Sequence, residues 1–244
     1  MTAKDLKEQL SKEYPIRIEM HAHTYPVSPC SEVRSEELAE IYSKEGYDAV
    51  VLTNHYLLDL PIFEGMNKDE AIDCYLVAYE DFSKECEKLG IKAILGCEIR
   101  FMESHNDYLI YGVNRDILSE AYDYFEKGLE AYRTEVKLDK SVFIQAHPFR
   151  NGITAVEPSL LDGIESFNMH PGHNSKIGVA AKYAKEKHLT IKTAGSDFHH
   201  PGKNHECVSA LRTRTLPKDS FELAEILKSG DYLLEIGGDS LILA

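Results

Sequence analysis

Ile16-Arg17-Ile18-Glu19-Met20-His21-Ala22-His23-Thr24 is the stretch on which the reading of this chain turns. The β-rich run Ile16–Met20 predicts a strand, and it leads directly into two histidines one residue apart. Alternate side chains on extended backbone share a side, so both imidazoles can face one ion. The same pattern recurs along the chain. Ala49–Thr53, Ala93–Gly96, Tyr108–Tyr111, Val142–Ala146, Ile164–Phe167 and Ile191–Ala194 are apolar, β-rich and repeatedly followed by polar or histidine-containing turns. Between most of them the apolar spacing turns helical. Over Ser35–Glu45, Ser35 can cap, Leu38, Ile41 and Tyr42 form the buried stripe, and Gly46 ends the helix. Asp69–Leu89, Leu118–Arg133 and Asn174–His188 follow the same rule. Strand–helix alternation implies a parallel sheet, and seven units imply an α/β barrel of the TIM-like (β/α)7 kind. The link from Glu98 to Asp107 is too short for a crossover helix, so the expected barrel is distorted. Ala210–Thr213 reads as a further strand and Ser220–Lys228 as a helix stopped by Gly230.

The 244 residues suit one such barrel, and no linker or repeat divides them, so a single domain over residues 1–244 is expected. Apolar runs such as Leu57–Leu60 are far too short for a membrane span, and Met1–Glu13 has no signal-peptide core, which points to a soluble cytoplasmic protein. The cysteines, Cys30, Cys74, Cys86, Cys97 and Cys207, are odd in number and lack CxxC spacing. That excludes a disulfide framework and a thiolate zinc finger, and most of them read as small buried hydrophobes. A net charge of −14, from 27 basic and 41 acidic side chains, repels long polyanions and favours a small substrate over a nucleic-acid duplex. Oligomeric state is not legible.

The metal-capable side chains fall where a barrel carries its chemistry, just past the predicted strands. After His21 and His23 come Thr53-Asn54-His55, Gly96-Cys97-Glu98, Ala146-His147-Pro148 and Gly195-Ser196-Asp197-Phe198-His199. Taken singly, His55 or His147 is more often a hydrogen-bonded surface or core residue than a ligand, and Glu98 more often a solvated acid. Taken together, five of the 11 histidines occupy the same position after separate strands, which is the signature of a metal centre. The sequence has no P-loop, no GxGxxG before a helix, no GxSxG elbow and no cysteine nucleophile with an adjacent motif.

With these five motifs the chain, from about Ile16 to its C-terminus, resembles the PHP family, named for polymerase and histidinol phosphatase domains. The resemblance implies a distorted (β/α)7 barrel holding two or three divalent ions, zinc, manganese or iron, and hydrolysis of phosphomonoesters or phosphodiesters. It implies that His21, His23, Glu98 and Asp197 hold one ion, that Glu98 bridges to a second also bound by His147, and that His55 with His199 holds a third. Two departures stand out. The family often supplies another histidine or acid after the HxHT motif, where this chain reads Tyr25-Pro26-Val27-Ser28-Pro29-Cys30-Ser31-Glu32, leaving Cys30 or Glu32 as substitutes. The second ion also lacks a ligand, with His105, Asp107, Asn114 or water to complete it.

Paired cations neutralise an anionic ester, lower the pKa of a bridging water and steady the leaving oxygen, so such a cluster suits a small phosphorylated substrate. Glu98 and Asp197 would then be catalytic, with His199 or neighbouring His200 as the acid toward the leaving group. Arg100 and Arg150, each close in sequence to a candidate ligand, are the preferred substrate clamps, unless each pairs with a neighbouring acid; Lys176 and Arg212 are weaker candidates. His170 and His173 read as loop histidines near the site, either facing substrate or, the reading placed ahead for both, structural. The competing readings are a C–N hydrolase of amidohydrolase type and a non-catalytic metal-binding domain.

Overall fold

The computed structural model describes residues 2–202, 209–238 and 240–243; Cys207 lies outside the described residues. Along the chain run α1 (Ala3–Glu13), β1 (Ile16–Ala22), α2 (Ser35–Lys44), β2 (Ala49–Leu52), β3 (His55–Tyr56), α3 (Lys68–Lys88), β4 (Lys92–Arg100) and β5 (Asp107–Tyr111). Then follow α4 (Arg115–Tyr124), α5 (Leu129–Glu135), β6 (Val142–Gln145), β7 (Gly163–Asn168), α6 (Ile177–Glu186) and β8 (Ile191–Gly195). The C-terminal part adds β9 (Ser209–Thr213), α7 (Ser220–Ser229), β10 (Leu233–Ile236) and β11 (Ser240–Leu243).

The sheet order is β11-β10-β9-β1-β2-β4-β5-β6-β7-β8, with β3 on β4. β1, β2 and β4 pair parallel, as do β6, β7 and β8, while β5 runs antiparallel to both of its neighbours. The short Glu98–Asp107 link therefore makes a hairpin, as its length required, and the fold is the distorted TIM-like barrel expected from the sequence. β9 and β10 extend the sheet antiparallel from β1. Closure is partial. Among the described residues β8 and β1 share no ladder, and the chain just beyond β8 meets the end of β1 through one bridge, Ala22 to Phe198. There His23 N donates to Phe198 O and Phe198 N to His21 O, each at 3.1 Å. Gly195 permits this approach, since a Cβ on it would stand 2.4 Å from His21 Cβ.

Apolar side chains from the strands, among them Ile18, Met20, Val51, Ile94, Leu109 and Ile144, pack with Leu223, Ala224 and Leu227 of α7. A larger cluster lies between β4–β7 and helices α3 to α6. Some local expectations change. Arg34 occupies the α2 cap position without a side-chain hydrogen bond, and Ser35 is the first helical residue, so Ser35 does not cap. The helix expected over Leu118–Arg133 breaks into α4 and α5 at Gly128, whose φ of 92° no other residue adopts cheaply. β1 and β4 run longer than predicted, which places His21 and Glu98 inside their strands rather than after them. Of the cysteines described, Cys86 and Cys97 are buried, Cys74 is half-buried and Cys30 is exposed. No helix among the described residues is long and apolar enough to cross a membrane.

Candidate metal centre

All seven side chains singled out as ligands converge at the rim formed by the C-terminal ends of the parallel strands. Glu98, buried in β4, stands at the middle. Its Oε1 lies 3.4 Å from His21 Nε2 and 3.3 Å from His147 Nε2; its Oε2 lies 3.5 Å from His23 Nε2 and 2.8 Å from His55 Nδ1. Asp197 Oδ1 faces His21 Nε2, His23 Nε2 and His199 Nδ1 at 3.6, 3.5 and 3.4 Å. The donors fall into three overlapping groups: His21, His23 and Glu98; Glu98, Asp107 and His147; and His23, His55 and His199. Of the side chains weighed for the second group, Asp107 is the one that reaches it. Asn114 instead caps α4, accepting from Ile117 N.

These atoms fit cations better than they fit one another. His21 Nε2, His23 Nε2 and both Glu98 oxygens are fully buried yet make no hydrogen bond of normal geometry among the described residues. Such groups each cost free energy unless a ligand engages them. Five imidazoles and two or three carboxylates are also the donor set that binds zinc, manganese or iron. The backbone is strained here as well, with His147 at φ 29° and Asp197 at φ 52°.

The electrostatics follow from burial and crowding. Burial opposes charge on Glu98 and Asp197, but the imidazoles around them, His21 foremost, hold both carboxyls well below the usual range. Burial likewise opposes a proton on His21, yet Glu165, Asp197 and Glu98 outweigh it and hold the imidazole well above its ordinary value. On His55 the same opposition between burial and Glu98 leaves the pKa raised to about 10. His23 goes the other way, pushed well down by burial and by His199 and His55. Cations and protons thus compete for the same lone pairs.

A supporting layer, which the sequence did not single out, fixes these rings. Glu165 Oε1 lies 2.8 Å from His21 Nδ1, and its Oε2 accepts from His147 N at 3.0 Å, so one acid of β7 orients a ligand in β1 and another just past β6. Glu19 is buried in β1 and accepts from Met20 N, His21 N, Ser196 N, Ser196 Oγ and Tyr42 OH. Acids at strand positions that otherwise read apolar were the available signal for both. Ser28 Oγ lies 3.2 Å from His23 Nδ1 and donates to Asn54 Oδ1.

The candidate clamps meet at one carboxylate. Arg100 Nε donates to Asp107 Oδ1 at 2.7 Å and Arg150 Nη2 to Asp107 Oδ2 at 3.3 Å, while Arg150 Nη1 lies 3.8 Å from Asp197 Oδ2. Both arginines therefore pair with a neighbouring acid, and that acid belongs to the cluster. Lys176 is exposed at the start of α6, on a cleft of about 530 Å³ that it lines with His170 and His173. Arg212 is engaged by Glu235. Cys30 reaches the third group by hydrogen bonds with His199 and His55; burial would raise its pKa, and these imidazoles bring it down to about 6. Glu32 does not reach it, its exposed side chain pairing with His200 at 3.3 Å.

A barrel whose strand ends gather histidines and acids in this way defines a class of metal-binding α/β proteins. The profile of the PHP domain matches residues 19–237, so the chain belongs to the PHP domain family. Among solved structures it is similar to a two-domain protein from Bacteroides vulgatus that contains a predicted PHP-like metal-dependent phosphoesterase, with 16% identity and a TM-score of 0.61 over 91% of this chain. The chain spans 65% of that protein's length. It is also similar to a candidate metal-dependent phosphoesterase from Bifidobacterium adolescentis, with 16% identity and a TM-score of 0.50, covering 86% of this chain and 95% of that one. No curated protein matches the sequence.

Proposed function

We propose that this protein hydrolyses phosphate esters of small molecules, monoesters ahead of diesters, at a centre of two or three divalent cations. The observation that carries the reading is Glu98: a buried carboxylate with both oxygens free of hydrogen bonds, faced by four imidazoles from β1 and the residue just past its end, from β3 and from the segment after β6. Divalent cations bound there would neutralise the ester's charge and supply an acidified water for attack.

The chain's own groups then divide the work. Glu98 belongs to two of the three donor groups, lies 2.8 Å from His55 of the third and, with Asp107 and Asp197, would balance the cationic charge. His21, His23, His55, His147 and His199 serve as neutral donors, with Cys30 at the open edge of the third group in place of Glu32. Arg100 and Arg150, aligned by Asp107 and only 29% and 21% exposed in their side chains, hold the phosphate oxygens at the mouth. His199 is committed to the cluster, and His200 is turned toward Glu32. We therefore assign the proton for the leaving oxygen to His173, which stands outside the donor groups, 3.8 Å from Asp197 Oδ2 and 3.3 Å from Arg150 Nη1.

The test is metal analysis of purified protein together with a metal-supplemented panel of phosphomonoesters and phosphodiesters, using Asp197→Ala and His173→Gln. Two or three ions per chain, phosphate release lost in Asp197→Ala, and kcat lowered about 10²-fold or more in His173→Gln are expected. Protein that binds no metal, or release that survives Asp197→Ala, would sink the proposal.

A further inference from the structure

β7 ends on Asn168, a buried amide with all of its polar atoms engaged. Its Nδ2 donates to Glu165 Oε2 at 2.9 Å and to Asp197 Oδ2 at 3.2 Å. Its Oδ1 accepts from Ser175 Oγ at 2.9 Å and from His170 N at 3.3 Å. The two carboxylates are the ones that orient the cluster. Glu165 decides which nitrogen of His21 faces inward, and Asp197 presents Oδ1 to three imidazoles.

The torsion that turns a carboxylate is soft, with no sharp staggered wells. Asp197 keeps Oδ1 aimed at the cluster only if Oδ2 is held from behind. Arg150 and His173 come no nearer to Oδ2 than 3.8 Å, so the Asn168 amide is the short contact on that side. The choice of residue also has a chemical reason. A primary amide carries two donors and no charge, so one group satisfies two acids without competing with the cations for them. A serine would offer one donor, and a lysine would add a rival charge. The other end of the same amide holds the loop that leads from β7 through His170 and His173 to α6 and walls the cleft.

We propose that Asn168 is a positioning residue that sets the orientation of Asp197 and Glu165 toward the bound cations and anchors the substrate-side loop to them. This rests on the metal-centre reading above, but not on which ester is cleaved. Supporting carboxylates and amides of this kind change metal affinity about 10- to 100-fold when removed.

The experiment loads the full chain with cobalt(II) and records both affinity, by competition with a chelator, and the visible ligand-field spectrum at saturation. Asn168→Leu, close in shape but without donors, is expected to bind cobalt about 10- to 100-fold more weakly and to shift the spectrum. Asn168→Asp, which keeps the shape and loses the amide donors, is expected to shift the spectrum too and covers the case in which the leucine variant fails to fold. Ser175→Ala, which releases only the loop, should leave affinity and spectrum as in the unaltered protein. Wild-type spectra and affinity in both Asn168 variants would overturn the inference, and so would an equal disturbance from Ser175→Ala. Failure of the unaltered protein to bind cobalt would overturn the metal-centre reading itself, a distinguishable result.

Discussion

The two ends of the barrel treat their buried polar groups in opposite ways. Beneath the strands, Ser220 at the start of α7 accepts from Gly112 N at 2.8 Å and Val113 N at 2.9 Å and donates to Leu95 O, while Asp219 caps the helix by accepting from Phe221 N and Glu222 N. Each of these groups has a partner within the protein. At the opposite rim, Glu98 has neither oxygen hydrogen-bonded, two imidazole nitrogens point into the same space, and two non-glycine residues take left-handed backbone. One end spends its polar chemistry on holding the fold, and the other keeps it for a ligand at a cost in stability.

The contrast can be broken at either end. The largest effect on function is expected from Glu98→Gln, which removes the charge shared by all the donors around it. Turnover should vanish and metal content fall while the circular dichroism spectrum stays native; full metal loading with unchanged activity would deny Glu98 its central place. Ser220→Ala should do the reverse. It strands the Gly112 and Val113 amides and should cost about 1–3 kcal/mol of stability in a denaturant titration, with kcat unaltered. Loss of activity without loss of stability there would erase the distinction between the ends.

The mildest perturbation changes no residue and compares two thiols. Cys30 at the rim has its pKa brought down to about 6, against the opposing effect of burial, whereas burial pushes the Cys86 thiol up to about 12. An acid with a lowered pKa is ionised above that value. Alkylation of Cys30 in metal-free protein, followed by peptide mass spectrometry, should therefore rise between pH 5 and 7 and level off by about pH 8, with Cys86 untouched in the folded chain. A Cys30 profile that climbs only through the ordinary thiol range would show that His55 and His199 do not act on it.

The rim was the more legible end. Its donors stand at or just beyond the ends of apolar runs, where a histidine has no packing reason to recur, so five motifs declared themselves together. The residues that hold those donors were harder to see. Glu19, Glu165 and Asn168 sit within segments whose apolar neighbours already explained them as strands, and their partners lie up to 177 residues away. Asp107 was weighed against His105 and Asn114, and only the reversal of β5, which brings its first residue to the rim, separates them. The C-terminal hairpin of β10 and β11, with Gly237 and Gly238 at positive φ after β10, was not read from the sequence, because that segment carries no chemistry to draw attention to it. The break between α4 and α5 depends on Glu103, which accepts from Leu129 N, a contact that no periodicity contains.

The single bridge between Ala22 and Phe198 has a further implication. His21 and His23 lie at the end of β1 and Asp197 and His199 just beyond β8, and among the described residues the backbone hydrogen bonds between these two segments lie at those residues. A cation held by both pairs would act as a clasp across a seam that carries no strand ladder among the described residues. Metal binding and the last step of barrel closure would then be one thermodynamic event, so that loading the site also completes the fold.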